Sequence, residues 1–224
     1  MNKKHFTLAA ILTATFSLSA AAYALPEFCT VHGTSQGHKI FGDVTCQKGT
    51  IASLQSFGDT TLNRTTIKGD LTVHGHVSAK NARLHTIQVF GATKLKRTQI
   101  SGNSNIHGNL ETEHTAFTRS VEVFGHVSVD DSTFNGPVKI YGKLSADDSH
   151  FNDSVTLNSH DSILDDSTAK SIFIKDNDTT PKLVLKGDET LIGNITFTGK
   201  KGIVYKASKV IIKGQVTNGS IENF

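Results

Sequence analysis

Apolar and polar residues alternate along most of this chain, and the alternation itself repeats. Runs such as Val121-Glu122-Val123 and Val127-Ser128-Val129 place an apolar side chain at every second position. Period two is the signature of a strand with one buried face. A second signal punctuates these runs: an apolar residue, an aromatic or histidine, then glycine. It occurs at Ile40-Phe41-Gly42, Val73-His74-Gly75, Val89-Phe90-Gly91, Ile106-His107-Gly108, Val123-Phe124-Gly125 and Ile140-Tyr141-Gly142. Ser56-Phe57-Gly58 is a weaker copy. Successive glycines lie 16 or 17 residues apart, and Ser159 and Asp176 keep the phase after the glycine is lost.

Stacked in this register, the copies form columns. Two residues before the glycine stand Ile40, Val73, Val89, Ile106, Val123, Ile140, Leu157 and Ile174. The column four before it begins at His38 and continues through Leu54, Leu71 and Ile87. Four after stand Cys46, Leu62, Ala79, Leu95, Val129, Ala146 and Ile163, and nine after stand Leu84, Ile100, Phe117, Phe134 and Phe151. The predicted fold is all-β: a single-stranded parallel β-helix, or solenoid, with coils of about 17 residues. Equivalent strands of neighbouring coils pair about 4.8 Å apart, so eight to nine coils make a rod roughly 40 Å long. The recurring glycine marks a bend needing positive φ or close backbone approach. A β-sandwich is the competing reading, but hairpin folds need no 17-residue column register.

The period changes after Lys175. Residues 25–180 therefore read as solenoid repeats, and residues 181–224 as C-terminal strands forming terminal coils and a cap. That end is alternatively left open for assembly.

Residues 1–24 carry a different pattern. Lys3 and Lys4 precede an apolar stretch from Phe6 to Leu18, and Ala22-Tyr23-Ala24 is a small-x-small cleavage site. This is the layout of a secretory signal peptide. Its apolar core is too short for a spanning helix, and no later stretch is apolar enough for a transmembrane segment. The expected location is outside the inner membrane: periplasm, cell surface or secreted. Removing Lys3 and Lys4 leaves 21 basic against 20 acidic residues, so nothing points to nucleic acid as a partner.

The glycine-marked strands resemble the bactofilins, polymer-forming cytoskeletal proteins with a β-helical core. Val123-Phe124-Gly125-His126-Val127-Ser128-Val129 and Ile140-Tyr141-Gly142-Lys143-Leu144-Ser145-Ala146 carry the likeness best, and it covers roughly residues 38–175. The resemblance implies a self-assembling structural protein. The whole layout also resembles uncharacterised exported β-solenoid proteins of Gram-negative bacteria, which implies the cell envelope or the exterior.

Candidate chemistry sits in four places. Cys29 and Cys46 are one coil apart, which predicts a disulfide between adjacent turns in an oxidising compartment. The column Phe41, Phe57, His74, Phe90, His107, Phe124 and Tyr141 points outward by alternation and is a candidate ligand or assembly face. The bend five and six residues after the glycine runs from basic (Lys48, Arg64, Arg97) to acidic, and Asp130, Asp131, Asp147, Asp148 and Asp165 are candidate Ca²⁺ ligands. A solvated turn edge is the plainer reading of those acids. His74, His76 and Asp59 form a weaker metal candidate.

No nucleophile elbow, His-Glu-x-x-His or P-loop is present, and the chain reads as non-enzymatic with no obligatory cofactor. Two functions follow. The first is an exported structural or self-assembling envelope protein, with itself as partner, end to end or side by side. The second is a secreted or surface module binding a glycan or an envelope protein through the aromatic column.

Overall fold

The structure, a computed structural model, describes residues 28–36, 39–176 and 178–224. The expected signal peptide and the column position His38 lie outside the described residues. Each regular coil supplies three short strands on three faces. In one coil these are Val121–Val123, Val127–Asp130 and Thr133–Phe134. They pair in parallel with Val138–Ile140, Leu144–Asp147 and His150–Leu157 of the next. The chain is an all-β parallel solenoid of about eleven coils, which at the inter-strand spacing is about 50 Å long.

The rod exceeds the eight to nine coils expected because residues 181–224 continue the same stack. Lys182–Lys186 pairs with Asp161–Asp165, and Leu191–Phe197 pairs with Thr168–Ile174, all in parallel. Only the spacing changes. Ile174 sits over Phe197, 23 residues on, and Asp161 over Lys182, 21 residues on. The strands keep register while the corners absorb the extra residues.

The predicted inner columns are the core. Leu71, Val73, Val89, Ile106, Val123, Ile140, Leu157 and the phenylalanines Phe117, Phe134 and Phe151 are buried. Each such side chain contributes about 1.5–3 kcal/mol by leaving water. Phe117, Phe134 and Phe151 stack with ring centroids 4.7 and 4.9 Å apart. One register expectation fails: in the coil after Ala146 an extra residue enters, so Leu164 rather than Ile163 takes the inward position.

The corners differ from expectation in an instructive way. Positive φ is not what selects the recurring glycine, because among its described copies only Gly42 has it. Close approach is. A Cβ at Gly108 would lie 2.5 Å from the Gly91 carbonyl oxygen, and one at Gly125 would lie 2.6 Å from that of Gly108. The left-handed residues stand six positions later: Lys48, Arg64, Asn81, Arg97, His114, Asp131 and Asp148, with φ between 45 and 53°. Each carries a steric cost of about 1–2 kcal/mol.

A buried hydroxyl one residue further on holds this corner. Ser132 Oγ donates to the Asp130 carbonyl at 2.8 Å and accepts the Thr115 N–H at 3.1 Å. Ser149 repeats both bonds one coil later, to Asp147 and from Ser132. Thr98 and Thr115 make the same donation in earlier coils.

Candidate functional site

The aromatic column faces outward as alternation requires. Phe41, Phe57, His74, Phe90, His107, Phe124 and Tyr141 form one continuous stack, with centroids 4.4–4.9 Å apart and ring planes within 11° of parallel. Each internal ring therefore spends both faces on its neighbours, at about 0.5–1.5 kcal/mol per pair. What the stack turns to water is mainly ring edges, about 40% of each phenylalanine. Face-on stacking against a sugar ring is thus blocked along the column. At its far end Lys139 sits over the Tyr141 ring, 4.7 Å from its centroid.

The charged edge resolves into pairs between coils. His114 Nδ1 lies 2.5 Å from Asp131 Oδ2, Lys96 Nζ lies 2.6 Å from Glu113, and Lys186 Nζ lies 2.5 Å from Asp165. The Lys96 ammonium, hydrogen-bonded to Glu113, holds that carboxyl below its ordinary value. Asp130, Asp131, Asp147, Asp148 and Asp165 run down one edge, yet no three acidic, histidine or cysteine side chains converge as a ligand set among the described residues. Backbone geometry gives another reason for the aspartates, since Asp131 and Asp148 hold the left-handed corner that Asp and Asn tolerate well. In the shifted coil that position belongs to Asp166, not Asp165.

His74, His76 and Asp59 do not share a point. His74 is clamped between Phe57 and Phe90 in the aromatic stack. His76 belongs to a different column, one residue past the glycine, which sequence reasoning did not single out. There Asp59 Oδ1 accepts the His76 N–H at 2.8 Å, and His76 Nδ1 accepts the Ala92 N–H at 2.9 Å. Asn109 Oδ1 accepts the His126 N–H at 2.9 Å, and His126 Nδ1 accepts the Lys143 N–H at 3.0 Å. The side chain of one coil thereby satisfies the backbone of the next. This column and the outward residues two positions later wall an open lengthwise furrow of about 780 Å³ spanning six coils, from Asp59 to Ser145.

The two ends are finished differently. Cys29 and Cys46 form the predicted disulfide, with Cα atoms 4.1 Å apart. The route to it is not the predicted one. Cys29–Gln36 runs antiparallel to Lys39–Ile51, as a hairpin arm rather than a preceding parallel coil. Phe28 completes the cover: its carbonyl accepts the Gln47 N–H at 2.8 Å and its ring lies against Gly49.

At the other end Gly219–Asn223 pairs with Gly202–Lys206 alone, and Ile211–Ile212 and Val216–Thr217 pair only with Leu191–Phe197. Their far edges have no strand partner among the described residues. Ile211, Ile221 and Phe224 are exposed there, Phe224 by 65%. Among the described residues no helix is long and apolar enough to cross a membrane. No protein-family model, curated protein or solved structure matches the chain.

Proposed function

We propose that this chain is an exported, non-enzymatic structural protein that associates with a second copy of itself through the C-terminal end of its solenoid. The carrying observation is the edge strand Gly219–Asn223, paired on one side only, with Ile221 exposed at its centre. Backbone N–H and C=O groups on such an edge are a template for another strand, and exposed apolar side chains add driving force. Export is supported by the leader pattern over residues 1–24 and by a disulfide, which suits an oxidising compartment.

The ends also favour one mode of pairing. The N-terminal strand Cys29–Gln36 likewise has one strand partner, but it runs antiparallel and is pinned by the Cys29–Cys46 disulfide, so it does not offer the parallel edge that head-to-tail stacking would continue. Two C-terminal ends meet through a two-fold axis at Ile221, pairing Gly219–Asn223 antiparallel with its copy. Ser220 then faces Glu222 of the second copy, and no like charges oppose each other. The product is a rod of doubled length rather than a filament, and this narrows the end-to-end polymer that the bactofilin resemblance implied.

Sedimentation equilibrium of residues 25–224, with negative-stain microscopy, tests the reading. A concentration-dependent dimer and rods of about 100 Å are expected, twice the single-rod length. Single rods at every concentration would refute it.

A further inference from the structure

The lengthwise furrow is independent of the ends and of the aromatic column. Its two walls are the column Asp59, His76, Asn109, His126, Lys143 and the outward row that includes Ser78 and Ser128. Six coils give it a length of about 24 Å at the inter-strand spacing. We propose that it binds a linear, uncharged polysaccharide laid parallel to the solenoid axis.

Three observations select that ligand class. The first is the donor set. His76 and His126 each accept a backbone N–H at Nδ1, so the neutral ring carries its proton on Nε2. Each imidazole is thereby fixed in one tautomer, with a donor that has no protein partner among the described hydrogen bonds. Beside them stand the hydroxyls of Ser78 and Ser128, which both donate and accept, with Thr61 and Ser145 one coil further out and Ala92, Asn109 and the paired Lys94 and Glu111 in the two coils between. Fixed donors beside adaptable hydroxyls suit a hydroxyl-rich chain.

The second observation is charge. Asp59 and Glu111 are balanced by Lys94 and Lys143, and Lys94 and Glu111 are paired with each other at 2.5 Å. A polyanion finds no cationic surplus. The third is backbone. The strands under the furrow are paired on both edges, as Leu110–Glu113 is with Thr93–Lys96 and Val127–Asp130. An extended peptide that binds by adding a strand finds no edge here. The furrow instead sets an imidazole beside a hydroxyl at two coils, His76 with Ser78 and His126 with Ser128, which fits a chain long enough to reach both.

Asn109 shows how to test this without disturbing the fold, because it fills the same column and makes the same backbone bond through Oδ1. The double variant His76→Asn, His126→Asn keeps that acceptor and alters the outward donors. Ser128→Trp fills the furrow from an exposed position. Residues 25–224 are titrated calorimetrically with cellohexaose, laminarihexaose, maltohexaose and chitohexaose, with the matching disaccharides, and with polygalacturonate. At least one neutral hexasaccharide is expected to bind at least tenfold tighter than its disaccharide. The double variant then loses at least tenfold in affinity with its melting midpoint unchanged, and Ser128→Trp abolishes binding. The proposal is overturned if no neutral hexasaccharide binds, if polygalacturonate binds instead, or if binding survives both sets of substitutions.

Discussion

The N-terminal and C-terminal ends of the rod face the same physical problem and solve it differently. Both terminate a stack whose every internal strand has two partners. At the start, Cys29–Gln36 folds back across Lys39–Ile51, the disulfide pins the arm, and Phe28 packs on Gly49. At the finish, Gly219–Asn223 has one partner and leaves Ile221 in water. A solenoid strand is stable only through its neighbours, so each end needs either a cover made from its own chain or a second molecule. Each end strand has one partner, but the first is reversed and cross-linked to its own chain, whereas the last keeps the parallel run of the stack, and the proposed assembly uses the last.

The largest effect is expected at the open end. Phe197 is buried, and its ring lies under the last coil, against Gly202 and Gly219. Phe197→Ala should cost about 3–5 kcal/mol, unseat that coil and abolish dimerisation, as thermal melts and sedimentation would report. At the closed end, Cys29→Ser removes a cross-link between residues 17 apart, worth about 3 kcal/mol for a loop of that size. Amide exchange should rise over residues 29–46 while dimerisation persists; loss of the dimer would place the interface at the wrong end.

Between the ends, Phe124→Ala removes two stacked pairs of the exposed column and should cost about 1–3 kcal/mol, against about 3–5 kcal/mol for Phe134→Ala in the buried stack. Equal costs in chemical denaturation would mean that the outer column is part of the core. The smallest effect is electrostatic. Lys209 is raised above 10.5 by its hydrogen bond and charge pairing with Asp188. A raised cation stabilises fully below its ordinary pKa and loses that contribution as pH rises through the folded value. Alkaline titration should therefore remove a small stabilising contribution at this pair, and Lys209→Met should remove that part of the pH dependence of the melting midpoint.

Much of this was legible in the sequence because a solenoid writes its structure as columns. Val123, Ile140 and Leu157 could be stacked by eye, and the outward face of Phe90 and Phe124 followed from alternation. Cys29 and Cys46 were paired correctly for a reason that did not hold, since a hairpin and a parallel coil of one length bring the same residues together. Spacing alone carries no strand direction. Asp59 and His76 stand out in the sequence only as metal candidates, and the column they share with Asn109 and His126 is hidden because its common property is a side-chain acceptor, which three residue types supply. The burial of Ser132 and Ser149 depends on the left-handed corner they support, which alternation alone does not reveal. The shift from Asp165 to Asp166 came from one inserted residue, which a fixed period cannot anticipate.

The central claim is that two copies meet at the strand Gly219–Asn223 about a two-fold axis. Ile221→Cys tests it most directly. In that register the two introduced sulfurs come from directly opposed residues, whose Cα atoms in an antiparallel pair lie about 4.5–5.5 Å apart, within the range a disulfide spans. Cys29 and Cys46 are already joined, so the new thiol is the one available. Mild oxidation of the purified variant should convert it to a covalent dimer that sediments as the wild-type dimer does. A variant that stays monomeric under oxidation, with its thiol accessible to alkylation and its fold intact, would contradict the account.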